Sequence, residues 1–434
     1  MATITVDQQK LVLNAFAATF QNNLVASDTV TWKMYDTEMD DRNALTVSEQ
    51  VGPRYAVTTT TNGVADLTSS GVQDSVFGSE QFKVNKTFGT TMGWADFVKI
   101  RDIGEAREST ALKNAALNLA ETIDAYILGV VTKASNNWLG TPANGISTWT
   151  DVVQGYTRLK EEGVDDSDLR AILNYADKQT LGSTINALTA PDSLVTGVYR
   201  QGFTGEIGGI PTMFTQQLPA LTTGSRGGTP LINGASQNVN YSAVAVSSSP
   251  GFYLTQTISM DGIGSTDTIK AGEVFTIAGV YAYDNRAQTN RSNLQQFTVI
   301  ADATASSGAV AALRIFPAII VPGTGSGGDV NVNTAHATCS AAPADNAAIT
   351  WIGSASTAYR PRVIMQKQAV QVNTCPLIMP ATGTAMNKSL TKVPVTVRMW
   401  KHSDFNTGAH SVRFDVALTA NVRDRRRIVR INGN

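Results

Sequence analysis

STALKNAALNLAETIDAYILGVVTK, Ser109 to Lys133, carries the longest and cleanest helical period in the chain. Leu112, Ala116, Leu119, Ile123, Tyr126 and Val130 recur at steps of three and four, which places them on one face of a helix. Lys113, Asn114, Asn118, Glu121, Asp124 and Thr132 fall mostly on the other sides. At about 1.5 Å per residue the stretch makes a rod of roughly 38 Å, longer than the usual three or four turns. Such a rod outreaches a small core, so it predicts a beam on which other layers rest.

The partner for this beam is legible near the end of the chain. Val395, Val397 and Met399 alternate with Thr396, Arg398 and Trp400, and Val412, Phe414, Val416, Leu418, Ala420 and Val422 alternate for ten residues more. These strands flank Lys401 to Ser411 and predict an antiparallel hairpin with one apolar face, covered by the rod. The first and last thirds of the chain then build one body.

Upstream, Thr5-Val-Asp-Gln8 has capping-box spacing, and Val12, Phe16, Phe20 and Leu24 follow at steps of four, a short amphipathic arm. Ser27 to Gly52 mixes strand formers with Asp40, Asp41 and Arg42, and Pro53 punctuates it. From Arg54 to Phe88, a run of four threonines and a Gly/Ser/Thr/Asp-rich middle lead to Phe82, Val84 and Phe88 in alternation with polar residues. This predicts a long β-ribbon. A two-stranded ribbon is marginal alone and its edges invite pairing, so it is expected to lie against another molecule.

Downstream of the rod an α/β portion begins. Val152, Tyr156 and Leu159 share a helical face, Gly163 offers a left-handed stop, Leu169 to Leu173 reads as a short buried strand, and a helix starts near Ala176. Gly205 to Phe214 gives a glycine turn into a strand. Beyond Gly224 the pattern turns almost wholly β: Phe252, Leu254 and Ile258, then Phe275, Ile277 and Tyr281, then Leu313 and Ile315. Turn clusters at Ser247–Gly251 and Gly323–Gly328 separate them. This block, to about Gly353, reads as a separate β-barrel or sandwich inserted into the frame.

Composition narrows the function. The 434 residues are 42% hydrophobic, enough for about two to four cored domains, and the net charge of −1 gives no global field for polyanions. Cys339 and Cys375 match no metal spacing and read as reduced, buried thiols. The start lacks a signal-peptide pattern, and no apolar run reaches the roughly 18 residues of a membrane span, so the chain reads as soluble and unexported, with no membrane partner.

Catalytic chemistry is nearly absent. Three histidines, His336, His402 and His410, cannot make a His-rich metal centre. His402-Ser-Asp404 has triad residue types, but loop neighbours rarely meet in triad geometry and no G-x-S-x-G elbow occurs. Gly323, Gly325 and Gly328 match G-x-G-x-x-G, yet an alternating Asp-Val-Asn-Val-Asn run follows instead of a helix, which reads as a turn. Glu161-Glu162 and Asp165-Asp166 read as solvated helix-end carboxylates. No catalytic, metal or cofactor residue is assigned. Arg423, Arg425, Arg426, Arg427 and Arg430 crowd the C-terminal end, to contact phosphate, to pair with a neighbouring subunit, or to form a solvated basic strand end.

The order of these parts resembles the Hong Kong 97-like α+β fold of tailed-phage major capsid proteins: an arm, a ribbon, a long helix after Asp96-Phe-Val-Lys-Ile, an α/β part with Gly208-Gly-Ile-Pro211, and a closing hairpin. Ile269-Lys-Ala-Gly-Glu-Val-Phe-Thr-Ile-Ala-Gly279 and Asn293-Leu-Gln-Gln-Phe-Thr-Val299 look like the inserted domain of short-tailed-phage coat proteins. Trp149-Thr-Asp-Val-Val153 and Ser411-Val-Arg-Phe-Asp415 are similar to that branch too. The resemblance implies an N-terminal arm (1–52), an E-loop ribbon (53–97), the P-domain spine helix (98–137), an A-domain in two parts (138–226 and 354–394), an inserted β-barrel (227–353) and P-domain C-terminal strands (395–434).

It further implies a non-enzymatic structural protein in the virion capsid, assembled in the host cytoplasm from identical subunits in hexamers and pentamers. The expected partners are a scaffolding protein, a portal protein at one vertex, and packaged double-stranded DNA held by non-specific contact. No acidic helical segment precedes the arm, so the scaffold is expected to be a separate chain. A family loop that clasps neighbouring capsomers corresponds to the short stretch Ser247–Gly251. Candidate intersubunit residues are Arg54, Glu80, Lys83, Lys86, Arg425, Arg426 and Arg427. The rival reading is a β-rich surface or adhesive structural protein, which would need export.

Overall fold

The alternating run near the C-terminus forms a 13-residue strand, His410–Val422, paired antiparallel with Thr396–Ser403, so that Val397 faces Val416 and Met399 faces Phe414. The computed structural model describes residues 6–24, 28–37, 45–56, 75–93, 109–186, 206–325, 329–380, 384–403 and 410–433. Two compact units result: Met1–Val47, Phe82–Val130 and Lys367–Arg423 form one, and Ser48–Gln81, Val131–Gln366 and Asp424–Asn434 form the other.

In the first unit, Thr31–Met34, Val370–Thr374, His410–Val422, Thr396–Ser403 and Thr384–Ser389 lie side by side in that order, and Thr87–Gly93 also pairs with the long strand. The expected single apolar face is corrected. Phe414, Val416 and Leu418 are buried on one side, but Asp415 and Ala417 on the other side are buried too, Ala417 in a cluster with Val84, Cys375 and Leu377. The Asp415 carboxylate is held by Arg398 Nη2 at 2.9 Å and Arg413 Nε at 2.5 Å. Gly89 lies opposite it in register, and a Cβ there would stand 2.3 Å from Asp415 Oδ1, so this glycine is required by close approach.

The first helix, Val6–Asn23, is not a free arm over its described length. Val12, Phe16, Phe20 and Leu24 are all buried, and the Phe16 ring stacks on Phe414 at 4.0 Å, nearly parallel. The four-residue spacing encodes an apolar stripe, and the sheet of the same unit covers it.

The predicted rod is the 25-residue helix Thr110–Ala134. Leu112, Ala116, Leu119 and Ile123 are buried as read, but the stripe then runs to Ile127 and Val131, while Tyr126 and Val130 are half-buried. A helical turn of 3.6 residues drifts around the axis relative to fixed steps. Asp124, read on a polar side, is buried by the same drift. The Tyr126 ring lies 5.2 Å from Phe88 of Thr87–Gly93, with Lys86 Nζ 4.2 Å from its centroid, so the rod rests on this sheet. Its length and mean hydropathy of 1.2 would suit a membrane crossing, yet half of that window is buried inside the protein.

The second unit contains two six-stranded sheets. One runs Asn137–Leu139, Ile428–Ile431, Arg362–Gln366, Leu169–Leu173, Ile210–Phe214, Glu206–Ile207. The closing strand Ile428–Ile431 therefore leaves the 395–434 hairpin, a correction to that boundary: its four residues are all buried between Arg362–Gln366 and Asn137–Leu139. Val370–Thr374, expected with 354–394, joins the first unit instead. The helix Trp149–Glu161 packs Val152 and Leu159 onto Ile364, Val429 and Ile431. A Cβ on Gly155 would meet Ile431 Cδ1 at 2.6 Å and Ile364 Cδ1 at 2.9 Å, so a larger residue there would have to displace both side-chain ends.

The other sheet orders Leu231–Ile232, Gln256–Asp261, Val310–Phe316, Thr289–Val299, Val274–Asp284 and Ile349–Trp351. A bridge from Leu231 to Ala348 brings its two ends together, which makes a barrel of the block read as barrel or sandwich. Ile258, Phe275, Ile277, Phe297, Leu313 and Ile315 fill it. Phe252 and Leu254 lie in turns ahead of the strand they were expected to share with Ile258. A short helix, Asp329–Ala335, follows the glycine run where alternation predicted none.

Candidate assembly site

Of the predicted ribbon, Gly78–Val84 forms a strand, but its partner in a two-stranded sheet is Leu45–Val51 of the stretch read as arm, while residues 57–74 lie outside the described residues. The described base of the ribbon also makes contacts within its own chain. Ser79 bridges Val246 in parallel, donating its N–H to Ala245 O at 2.8 Å and accepting from Ser247 N–H at 2.9 Å. The next side chain, Glu80, is buried, and its carboxylate accepts from the N–H groups of Gly251 (2.7 Å) and Tyr253 (2.9 Å). Thus the stretch Ser247–Gly251, expected to clasp neighbours, is engaged by its own chain at both ends.

Charge is matched around this contact. Arg425 Nη2 donates to Gly251 O at 3.2 Å, and its guanidinium lies over the Phe316 ring. Burial pushes Glu80 up to about 7, against the two N–H groups and Arg425. Burial likewise brings Arg425 down to about 10, with Glu80 opposing. Asp424 accepts from Arg426 N–H at 3.1 Å, capping the turn Arg425–Arg427, and binds the Arg426 guanidinium through both oxygens at 3.0 and 3.2 Å. That carboxylate raises Arg426 above the ordinary arginine value. Arg427 reaches Asp424 at 3.3 Å and Gln366 Oε1 at 2.7 Å.

The backbone N–H of Arg54 donates to His336 Nε2 at 3.3 Å, and that imidazole lies flat on Tyr241, 3.5 Å between ring centroids. Tyr241 and Tyr253 share a hydrogen bond between hydroxyls at 3.0 Å. Burial, then Arg54 and then Arg426, push His336 down to about 3, so it stays neutral at physiological pH.

The structure thereby brings Arg54, Glu80, Arg425, Arg426 and Arg427 into the second unit, with Asp424, His336 and Tyr253 as partners that pattern reading missed. Asp424 carried the one available signal, an acid directly before three basic residues. Lys83 and Lys86 belong to the first unit; Lys83 is half-buried and Lys86 covers Tyr126. Arg425 to Arg427 and Arg430 are no solvated strand end, whereas Arg423 is exposed: Arg430 is fully buried, donating to Gly272 O at 2.7 Å and Ser135 O at 3.2 Å beside Trp138. Nor are Glu161 and Glu162 merely solvated, since Arg158 and Arg291 lie within ion-pair distance of both.

Among the described residues no group of three or more His, Cys, Asp or Glu could hold a metal. Asp404 of the His402 loop and Gly328 of the glycine run lie outside the described residues, as does Asp96-Phe-Val-Lys-Ile. Cys339 and Cys375 are free and buried.

The chain is 21% identical to a major capsid protein of Acyrthosiphon pisum secondary endosymbiont phage 1 over 421 residues, covering 94% of this chain and 93% of that one. Similar solved structures include the capsid of Ralstonia phage GP4, at 6% identity and a TM-score of 0.43 with 96% of this chain and 91% of that one covered. The bacteriophage PhiM1 mature capsid is 9% identical with a TM-score of 0.42, over 94% and 87% of the two chains. A family model described as P22 coat protein, gene protein 5, matches residues 1–427, and the chain belongs to that coat protein family.

Proposed function

We propose that this phage major capsid protein folds as a Hong Kong 97-like tile, with the 231–351 barrel as its inserted domain, and closes through hexamers and pentamers into an icosahedral shell. Assembly takes place in the host cytoplasm around a separate scaffolding protein, with a portal at one vertex, and the finished shell holds double-stranded DNA by non-specific contact. The protein performs no catalysis. The coat-family match across residues 1–427 carries this reading. A shell multiplies each weak contact between copies by closure, so modest interfaces suffice for a stable particle.

Arg54, Glu80, Lys83, Lys86, Arg425, Arg426 and Arg427 are proposed as assembly residues. Glu80 and Arg425 act by fixing the ribbon base on the 247–253 turn, Arg426 and Arg427 by holding the 424–427 turn through Asp424, and Arg54, Lys83 and Lys86 by presenting charge to neighbouring copies. Electron microscopy of the full chain, expressed alone and with a candidate scaffolding protein, tests the proposal. Closed shells with hexameric and pentameric units are expected with the scaffold. Persistent monomers under every assembly condition would refute it.

A further inference from the structure

A cavity of about 40 Å³ in the second unit is lined by four arginines, Arg54, Arg286, Arg291 and Arg426, by three acids, Glu161, Glu162 and Asp284, and by Asn136 and the turn at Gly163. On the scale of about 10–15 Å³ per water, this is room for a small polar group. The carboxylates nearby are already engaged. Glu161 and Glu162 lie within ion-pair distance of Arg158 and Arg291, Asp284 stands 3.4 Å from Arg291, and Asp424 binds Arg426 and Arg427.

Arg54 and Arg286 are left over: among the described residues neither guanidinium has a carboxylate within ion-pair distance, and that of Arg286 donates to the carbonyl of Gly163 at 3.0 Å while its backbone N–H donates to Asp284 Oδ1 at 2.9 Å. The positive field is felt by its neighbours. Besides its partial desolvation, Arg54 is lowered by Arg426 and, after an opposing contribution from Asp424, by Arg286. His336 beside it is held neutral by burial and by two of the same guanidiniums. Asn136 is 1% exposed, and its side-chain oxygen has no hydrogen-bond partner. An amide can turn either end toward a ligand, so it offers a donor as readily as an acceptor.

We propose that Arg54, Arg286 and Arg426, with Asn136, form an oxyanion site that takes a phosphate or carboxylate group. Guanidinium forks match both groups in geometry, and the two exposed guanidiniums of Arg54 and Arg286, without a carboxylate of their own, leave charge for an anion to match. The oxyanion comes either from free phosphate or from an acidic side chain of a second copy in the shell.

Titration calorimetry of the full-length, unassembled subunit with inorganic phosphate, at constant ionic strength set by chloride, tests the site. One phosphate per subunit is expected, displaced by acetate, with affinity reduced about tenfold or more in Arg54→Gln and in Arg286→Gln. The Arg54 side chain is not part of the bond to His336, so that variant keeps the backbone contact. Lys270→Gln, which removes a cation from an exposed pair with Asp302, is expected to bind as the parent does. No phosphate uptake by the parent, or equal loss in Lys270→Gln, would overturn the site. Repeating the titration on assembled shells separates the sources. Uptake that disappears on assembly identifies a carboxylate of a neighbouring copy, and uptake that persists identifies free phosphate.

Discussion

The buried carboxylate of Glu80 accepts a 2.9 Å hydrogen bond from the backbone N–H of Tyr253, and this contact ties the ribbon base to the turn that precedes the barrel strand Gln256–Asp261. Its pKa of about 7, up from 4.5, means the folded state holds a proton that the unfolded state has released between those values. The unfolded state then binds fewer protons, so stability falls as pH rises through that window. The full effect is on the order of 3 kcal/mol at about 1.4 kcal/mol per unit. Thermal unfolding of the subunit from pH 4 to 8.5 is expected to show this decline, and Glu80→Gln to flatten it. An unchanged slope in the variant would assign the pH dependence to other groups.

The Phe16 and Phe414 rings stack 4.0 Å apart in the first unit, and both are fully buried. Phe414→Ala leaves a cavity between the first helix and the sheet, at a cost of about 3–5 kcal/mol. Urea unfolding is expected to show the unfolding free energy lowered by that amount, with the midpoint shifted down accordingly.

Gly89→Ala drives a methyl group into Asp415 Oδ1 and disturbs the buried pairs to Arg398 and Arg413. A loss of about 1–3 kcal/mol is expected from overpacking. Gly93→Ala, on the same strand with nothing within 4 Å, should be near neutral. Equal melting temperatures for the two variants would contradict the close approach.

Replacing Arg425, Arg426 and Arg427 together by alanine removes partners of Gly251, Asp424 and Gln366. The expected result is a less stable subunit, because Asp424 loses its ion pairs and Glu80 its nearest cation. Were these arginines solely DNA contacts, the variant would melt normally and only the salt dependence of its particles would change. Differential scanning calorimetry of the free subunit distinguishes the two.

Cys339 and Cys375 are raised to about 12 and 11 by burial. A thiol-specific reagent at pH 8 should label neither until the subunit unfolds, since the thiolate is the reactive form.

Periodicity was a good guide wherever one element's pattern answers to one neighbour. The rod, the 396–422 hairpin, the Leu169–Leu173 strand and the β-rich block were legible for that reason. It was a poor guide where long-range packing reassigns a face. The helix stripe drifted from Tyr126 and Val130 to Ile127 and Val131, and the hairpin proved buried on both sides. Ile428–Ile431 went to a different sheet from the strand six residues before it. The candidate site was half legible: charged residues at 54, 80 and 425–427 stood out, whereas His336, Tyr253 and Asp424 enter only through contacts across up to some 280 positions of chain.

The amino-acid order alone determined the helices, the strand alternation and the succession of parts that resembles a capsid subunit, because these follow from local period and turn chemistry. Only the tertiary structure decided that the first helix lies on its own sheet, that Glu80 locks the ribbon base to residues 251 and 253, and that Arg425, Arg426, Arg427 and Arg430 bind internal partners. A side chain's pattern declares what it must bury or pair with, but the partner is chosen by which distant segment the completed fold brings within a few ångströms.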